Sequence, residues 1–290
     1  MSVLPFDQRE GFIWMNGRLL PWSESRLHVL SHGLHYGSCV FEGERTYGGK
    51  IFKSREHTER FRNSANILDF EIPYSVDDIE AAKKLVVEKN GLTSCYVRPV
   101  AWRGSEMMAV AAQNSTINVA IAVWDWPSMF DVNEKMRGIR LDIAEYRRPD
   151  PRCAPVHAKA AGLYMICTLS KHRAERRGYA DAMMLDWEGR VAECTGANIF
   201  FTKDGALHTP LADCFLDGIT RRTVIDLAKA RGLDVHQRRI MPEELTSFNE
   251  CFICGTGAEV TPVSEVGPYK FTPGNISRTL IEDYTAAVNA

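Results

Sequence analysis

Apolar and polar positions alternate at the start of the chain, and then the period changes. Residues 12–21, FIWMNGRLLP, form two short strand-like runs around Asn16–Gly17, and residues 40–52, VFEGERTYGGKIF, repeat the pattern around Gly48–Gly49. Such dipeptides join strands in tight hairpins, so the chain is expected to open as antiparallel sheet. From Ser54 the spacing becomes helical: His57, Phe61, Ala65 and Leu68 recur three or four apart with charges between them. A second helix is expected after Ser75, which stands at capping-box distance from Asp78, and Asn90–Gly91 should close it. Two apolar strands follow at 94–102 and 117–126, and the polar, turn-forming PSMFDVNEKMRG then breaks the pattern.

The second half alternates strand and helix. Strands are expected in IRLDIAEY, DAMMLD, NIFFTKDGALHTP (turning at Asp204–Gly205) and ECFICGTG, and helices over Leu163–Arg177, in TRRTVIDLAKARG and from Arg278 onward. This is a mixed α/β pattern rather than regular βαβ winding. It predicts a small N-terminal α/β domain at 1–127, a linker at 128–137 and a larger mixed α/β domain at 138–290.

Composition narrows the function. At 45% hydrophobic and 25% charged residues, the 290-residue chain has the make-up of an ordinary globular protein. A net charge of −2 provides no basic stripe for nucleic acid, which leaves a small-molecule substrate. No apolar run approaches the roughly 18 residues of a membrane span, and MSVLPFDQRE lacks the order of a secretory signal, so a cytoplasmic protein is expected. The eight cysteines are scattered singly and read as small buried hydrophobes. Cys251-x-x-Cys254 lies in a strand-like run that would point the two thiols to opposite faces, and His32-x-x-His35 has no third ligand nearby, so no metal is expected.

Nucleotide motifs are absent: there is no G-x-x-x-x-G-K-[ST], and GTGAEV has too few glycines for a dinucleotide turn. Two stretches could still hold a phosphate. GITR, 218–221, opens a helix with free amides and the Thr220 hydroxyl, and GTGA, 255–258, ends a strand in a possible backbone nest. Each reads equally as a plain helix cap and a plain turn. Lys159, set among small residues in HAKAAGLY, is either a solvated surface charge or a reactive amine. Glu193, in VAECTGANIFF, is either an exposed hairpin residue or a carboxylate awaiting a cation such as a protonated ring nitrogen.

Taken in order, SHGLHYGSCVFEG, REHTERF, SCYVRP, AKAAGLY, ECTGANIFF, LDGITR and CGTGAEVTPV resemble the branched-chain amino acid aminotransferases among the class IV, fold-type IV pyridoxal-phosphate enzymes. The resemblance implies a two-domain fold-type IV enzyme that binds pyridoxal 5′-phosphate and its pyridoxamine form. The implied reaction moves an amino group between L-leucine, L-isoleucine or L-valine and 2-oxoglutarate by a ping-pong mechanism. It implies that Lys159 bonds the cofactor aldehyde and moves the substrate proton, that Glu193 faces the pyridine nitrogen, and that Tyr164 lies beside the ring oxygen. Arg55, Gly196, Ile219, Thr220 and Thr256 are the implied remaining cofactor contacts. For the substrate it implies Tyr36, Phe41, Tyr96, Arg98, Val110, Trp126, Gly257 and Ala258, with Tyr36 and Val110 reaching in from a neighbouring subunit of a homodimer or higher homo-oligomer. Tyr96 and Arg98 also read as a cross-sheet packing pair, and Phe41 and Trp126 as core. The same fold hosts D-amino-acid and (R)-amine transaminases and aminodeoxychorismate-type lyases. Two departures from the family pattern stand out: RGSEMMAV, where Arg103 and Glu106 are expected to add charge at the pocket mouth, and Asp217 in LDGITR where proline is usual.

Overall fold

Asn16 and Gly17, with φ of 49° and 85°, fold β1 (Phe12–Met15) back onto β2 (Arg18–Pro21), as the turn dipeptide requires. The computed structural model describes residues 4–126 and 132–290. They divide into two units: Met1–Ser128 with Ala158–Gly162, and Met129–His157 with Leu163–Ala290.

In the first unit a short helix α1 (His32–Tyr36) leads into β3 (Cys39–Phe41), β4 (Glu44–Tyr47) and β5 (Lys50–Ile51). Helices α2 (Ser54–Ile67) and α3 (Val76–Lys89) and strands β6 (Cys95–Arg103) and β7 (Ile117–Asp125) complete it. The antiparallel sheet runs β2-β1-β7-β6-β4-β5, with β3 on β6. Phe61 and Ala65 of α2 and Ile79, Ala82 and Val86 of α3 pack with Val97, Ala101, Val119 and Ile121 of the sheet in one core. The expected capping box is formed: the Asp78 amide donates to Ser75 Oγ at 3.1 Å and the Ser75 amide to Asp78 Oδ2 at 3.0 Å.

The second unit holds α4 (Val132–Lys135), β8 (Ile139–Ile143), α5 (Met165–Arg176), β9 (Asp181–Leu185), β10 (Val191–Cys194), β11 (Asn198–Lys203) and β12 (Ala206–Pro210). They are followed by α6 (Ile219–Ala230), β13 (Val235–Arg238), β14 (Glu250–Gly255), β15 (Glu259–Val266), β16 (Tyr269–Lys270) and α7 (Asn275–Val288). Its sheet runs β10-β9-β8-β15-β14-β11-β12-β13, with β16 on β15; β8 is parallel to β9 and β15, and β12 to β13. Central strand β14 is covered on both faces, which explains its unbroken apolar run. Cys251 and Ile253 face the core of Leu141, Ile199 and Phe201, while Phe252 stacks on Phe200 at 5.0 Å on the opposite face. The helix expected from Arg278 starts three residues earlier, because Glu250 of β14 accepts the amides of Ile276 and Ser277 and caps it from across the unit.

The expected domain division needs two corrections. Residues 158–162, assigned from sequence to the larger domain, belong to the first unit, where Ala160 forms an antiparallel bridge with Val40. The expected 128–137 linker falls partly on 127–131, outside the described residues; within its described part α4 is helical and Lys135 donates to Glu259 at 2.7 Å. Replacing the fully buried Phe61 by alanine should destabilise the first unit by about 3–5 kcal/mol, measured by chemical denaturation.

Candidate active site

In the first unit Lys159 stands in an extended segment, not in a helix, and its main chain is held on both sides. Its amide donates to Ser64 Oγ of α2 at 3.0 Å, and its carbonyl accepts the Phe41 amide at 3.1 Å. The side chain turns back over the same residue, with Nζ 5.1 Å from the centre of the Phe41 ring. The other side of this aromatic group holds a second cation: Arg98 lies 4.7 Å from the Phe41 ring, 5.3 Å from Tyr96 and 5.9 Å from Trp124. Arg98 Nε is buried and meets no hydrogen-bond partner among the described residues. Tyr96 stacks on Trp124 and leans on Trp126. Its hydroxyl comes so near Gly43 that a Cβ there would lie 2.0 Å away, so only glycine fits beside it.

Glu42 is fully buried and accepts four hydrogen bonds, one of them from the Gly43 amide at 3.3 Å. Arg60 donates Nε and Nη2 to its two oxygens at 2.7 and 2.8 Å, and His57 Nδ1 donates at 2.7 Å. Burial alone would raise the Glu42 pKa; Arg60 and His57 override it and hold the carboxyl well below its usual range. Burial lowers the pKa of His57 and outweighs the attraction of Glu42.

In the second unit Glu193 lies on β10 at a register shift, its side chain only 12% exposed. The buried Arg148 guanidinium reaches its Oε1 at 3.3 Å, and Asn198 Nδ2 donates to its Oε2 at 3.3 Å. Burial opposes the charge of Arg148, and the Glu193 carboxylate overcomes it, raising the pKa of Arg148. Asn198 also donates to Leu216 O at 3.2 Å and crowds Gly218, where a Cβ would fall 2.2 Å from its Oδ1. Glycine is thereby required at the entrance of α6, whose first amides, at Ile219 and Thr220, have no acceptor within the helix. The GTGA segment is a tight turn between β14 and β15, closed by pairing of Gly255 with Glu259 and by Thr261 Oγ1 donating to Ala258 O at 2.6 Å. Gly196 stands exposed with open space where a side chain would be, and Tyr164 ends a one-turn helix leading into α5.

Arg55, expected as a cofactor contact, has a side chain that is 61% exposed and paired with Glu59 one turn on in α2 and with Asp77 of α3. Arg60, which sequence reasoning passed over, lies one turn before Ser64 on the face that holds the lysine segment. Arg103 and Glu106 do not add free charge at a pocket mouth. Arg103 is buried and donates to Ala112 O and Asp69 O, and Glu106 accepts the Thr116 amide, so both brace the 104–116 loop. Asp217 pairs with the buried Arg221 at 2.7 Å, a structural use of the departure from proline. Tyr36 stacks on His32, and Val110 is 86% exposed.

Set beside known proteins, the family described as Amino-transferase class IV matches residues 39–266. This chain belongs to the class IV aminotransferases. It is 44% identical, over 92% of its length and 90% of the relative's, to the "Probable branched-chain-amino-acid aminotransferase" of Rickettsia felis. It is 40% identical to the branched-chain-amino-acid aminotransferase of Pseudomonas aeruginosa, over 92% of this chain and 88% of that one. Its fold is similar to the crystal structure of the T.th. branched-chain amino acid aminotransferase with pyridoxamine 5′-phosphate, at TM-score 0.94 and 39% identity over 97% of this chain and 95% of that one. The two-unit α/β architecture is therefore that of the fold-type IV enzymes. No metal-binding cluster occurs among the described residues, and no described helix is long and apolar enough to cross a membrane.

The Glu42 cluster makes the first unit acid-sensitive. Both Glu42 and His57 bind protons more readily in the unfolded chain, so the stability they contribute falls below about pH 6.5 through His57 and further below about pH 4.5 through Glu42. Denaturation midpoints should drop across that window. Glu42→Gln should cost about 3 kcal/mol at pH 7.5, by stripping the half-buried Arg60 of its charge partner in the core, and should flatten the acid slope.

Proposed function

We propose that this chain is a pyridoxal-phosphate-dependent transaminase that moves the amino group of L-leucine, L-isoleucine or L-valine to 2-oxoglutarate in two half-reactions. The observation that carries the reading is the donor set: in the first unit the Lys159 amine beside the Phe41 ring, and in the second the half-buried Glu193 carboxylate paired with the buried Arg148 guanidinium. That donor set fits the cofactor: an amine for its aldehyde, an anion for its protonated ring nitrogen, and helix-start and nest amides for its phosphate.

When bound, the cofactor supplies an aldehyde to accept the amino group and a ring to take up the electrons left as the substrate Cα–H bond breaks. Lys159 would hold the cofactor through its aldehyde, and its Nζ, once free, would serve as the base for the substrate Cα proton. Glu193 would face the ring nitrogen, with Arg148 and Asn198 orienting its carboxylate. Tyr164 would lie beside the ring oxygen. Arg60, in place of Arg55, would supply charge to the phosphate alongside the amides and hydroxyls of Ile219, Thr220 and Thr256, and Gly196 would leave room for the ring.

For the substrate, Phe41, Tyr96 and Trp126 offer apolar walls, and the caged Arg98 offers a cation for the side-chain carboxylate when glutamate replaces leucine. The amides of Thr256, Gly257 and Ala258 receive the α-carboxylate. His32 Nε2 donates to Ala109 O, drawing the 104–116 loop to α1 and gathering exposed Leu34, Tyr36 and Val110. We read that apolar surface as covered by a second copy of the chain in a homodimer or larger assembly. All eight cysteines are free, which fits a reducing compartment and a cytoplasmic enzyme.

With pyridoxal phosphate added, the protein should be yellow, and borohydride should bleach it and tether the cofactor to the peptide containing Lys159. L-leucine should change the spectrum, while D-alanine and an (R)-arylamine at equal concentration should not; the reverse result would assign the chain to the D-amino-acid or (R)-amine branch. Glu193→Gln should lower kcat on the order of a hundredfold while changing KM far less.

A further inference from the structure

The lysine segment has a feature that the family chemistry does not itself require. Lys159 lies between two buried alanines, and its amide would be an unmet donor in that setting if Ser64 were absent. Ser64 is fully buried in the last turn of α2, one turn after Arg60 and one before the C-cap Leu68. A serine inside a helix usually turns its hydroxyl back to its own helix or to water. Here the hydroxyl oxygen receives the amide of a residue 95 positions later in the chain. The Phe41 amide fixes the carbonyl of the same residue, and the Val40–Ala160 bridge fixes the next one. Residues 159 and 160 are thus a two-residue strand added to β3 and pinned to α2 at one point. Only one of these ties depends on a side chain.

We propose that Ser64 is a positioning residue for Lys159: its hydroxyl sets the origin of the lysine side chain, and so the line along which Nζ leaves the backbone past the Phe41 ring. The inference rests on Lys159 being the cofactor-bonding amine. A four-carbon side chain magnifies a small backbone displacement, and proton transfer from Cα tolerates little misplacement of the base. The same displacement changes how far Nζ is desolvated, and hence the pH at which the lysine-bound cofactor changes its visible band.

The test compares the holoenzyme with Ser64→Ala, which removes the acceptor, and Ser64→Cys, which keeps a weak acceptor of similar size. In Ser64→Ala, kcat for L-leucine should fall about tenfold with KM within about twofold, as expected for a misplaced base. The pH midpoint of the visible band should move by about half a unit or more through altered desolvation of Nζ. Ser64→Cys should fall between Ser64→Ala and the parent in both readouts. A Ser64→Ala protein with the parental kcat and band midpoint, even if its melting temperature drops, would make the serine a packing residue and overturn the proposal. Should Ser64→Ala not fold, the same criteria applied to Ser64→Cys decide it. Failure of the parent protein to take up pyridoxal phosphate on Lys159 would instead remove the functional reading on which the inference rests.

Discussion

The first unit depends on a two-residue strand. The Lys159 amide and carbonyl are taken up by Ser64 and Phe41, and Ala160 continues the pairing on Val40. Those bonds satisfy a buried backbone, which is their thermodynamic reason for existing. They also fix the point from which the long lysine side chain leaves the backbone. The aromatic ring of Phe41 serves both ends, meeting the lysine amine on its face while its own amide holds the lysine carbonyl.

Both units handle buried charge by the same rule. A carboxylate removed from water is tolerable when a guanidinium meets it. Glu42 has Arg60 and His57, and Glu193 has Arg148 with Asn198. The two cases differ in what is left over. Glu42 is consumed entirely by its partners and serves the architecture. Glu193 is half-buried and meets Arg148 on one oxygen and Asn198 on the other. Arg98 reverses the arrangement: three aromatic rings surround a cation, and its Nε lacks an acceptor among the described residues.

Local pattern carried much of this to the sequence level. The hairpins at Asn16–Gly17 and Gly48–Gly49, the α2 face of His57, Phe61 and Ala65, the Ser75–Asp78 box and the strand at 250–255 all express short-range chemistry, and all could be read before any coordinate. What escaped was set by partners far away in the chain. Arg60 gains its meaning only from Glu42, which it meets with two hydrogen bonds, and Ser64, one turn past it, only from residue 159. Arg148 and Asn198 are ordinary until Glu193 is seen to need them. The early start of α7 depends on Glu250, a cap lent by another strand, and the 158–162 segment left its expected domain because backbone pairing with Val40 and Phe41 outweighed proximity in sequence.

That returning segment has a consequence for how such a protein can change. The polypeptide passes between the units three times, near residues 128, 157 and 162, so neither unit is one uninterrupted stretch of gene. A recombination event that joined the first 128 residues to a foreign partner would leave β3 without the returning 158–162 segment, whose Ala160 pairs with Val40. Evolution by swapping whole modules is thereby obstructed, and diversification is steered toward the loops and single side chains around a scaffold that must be inherited as one piece.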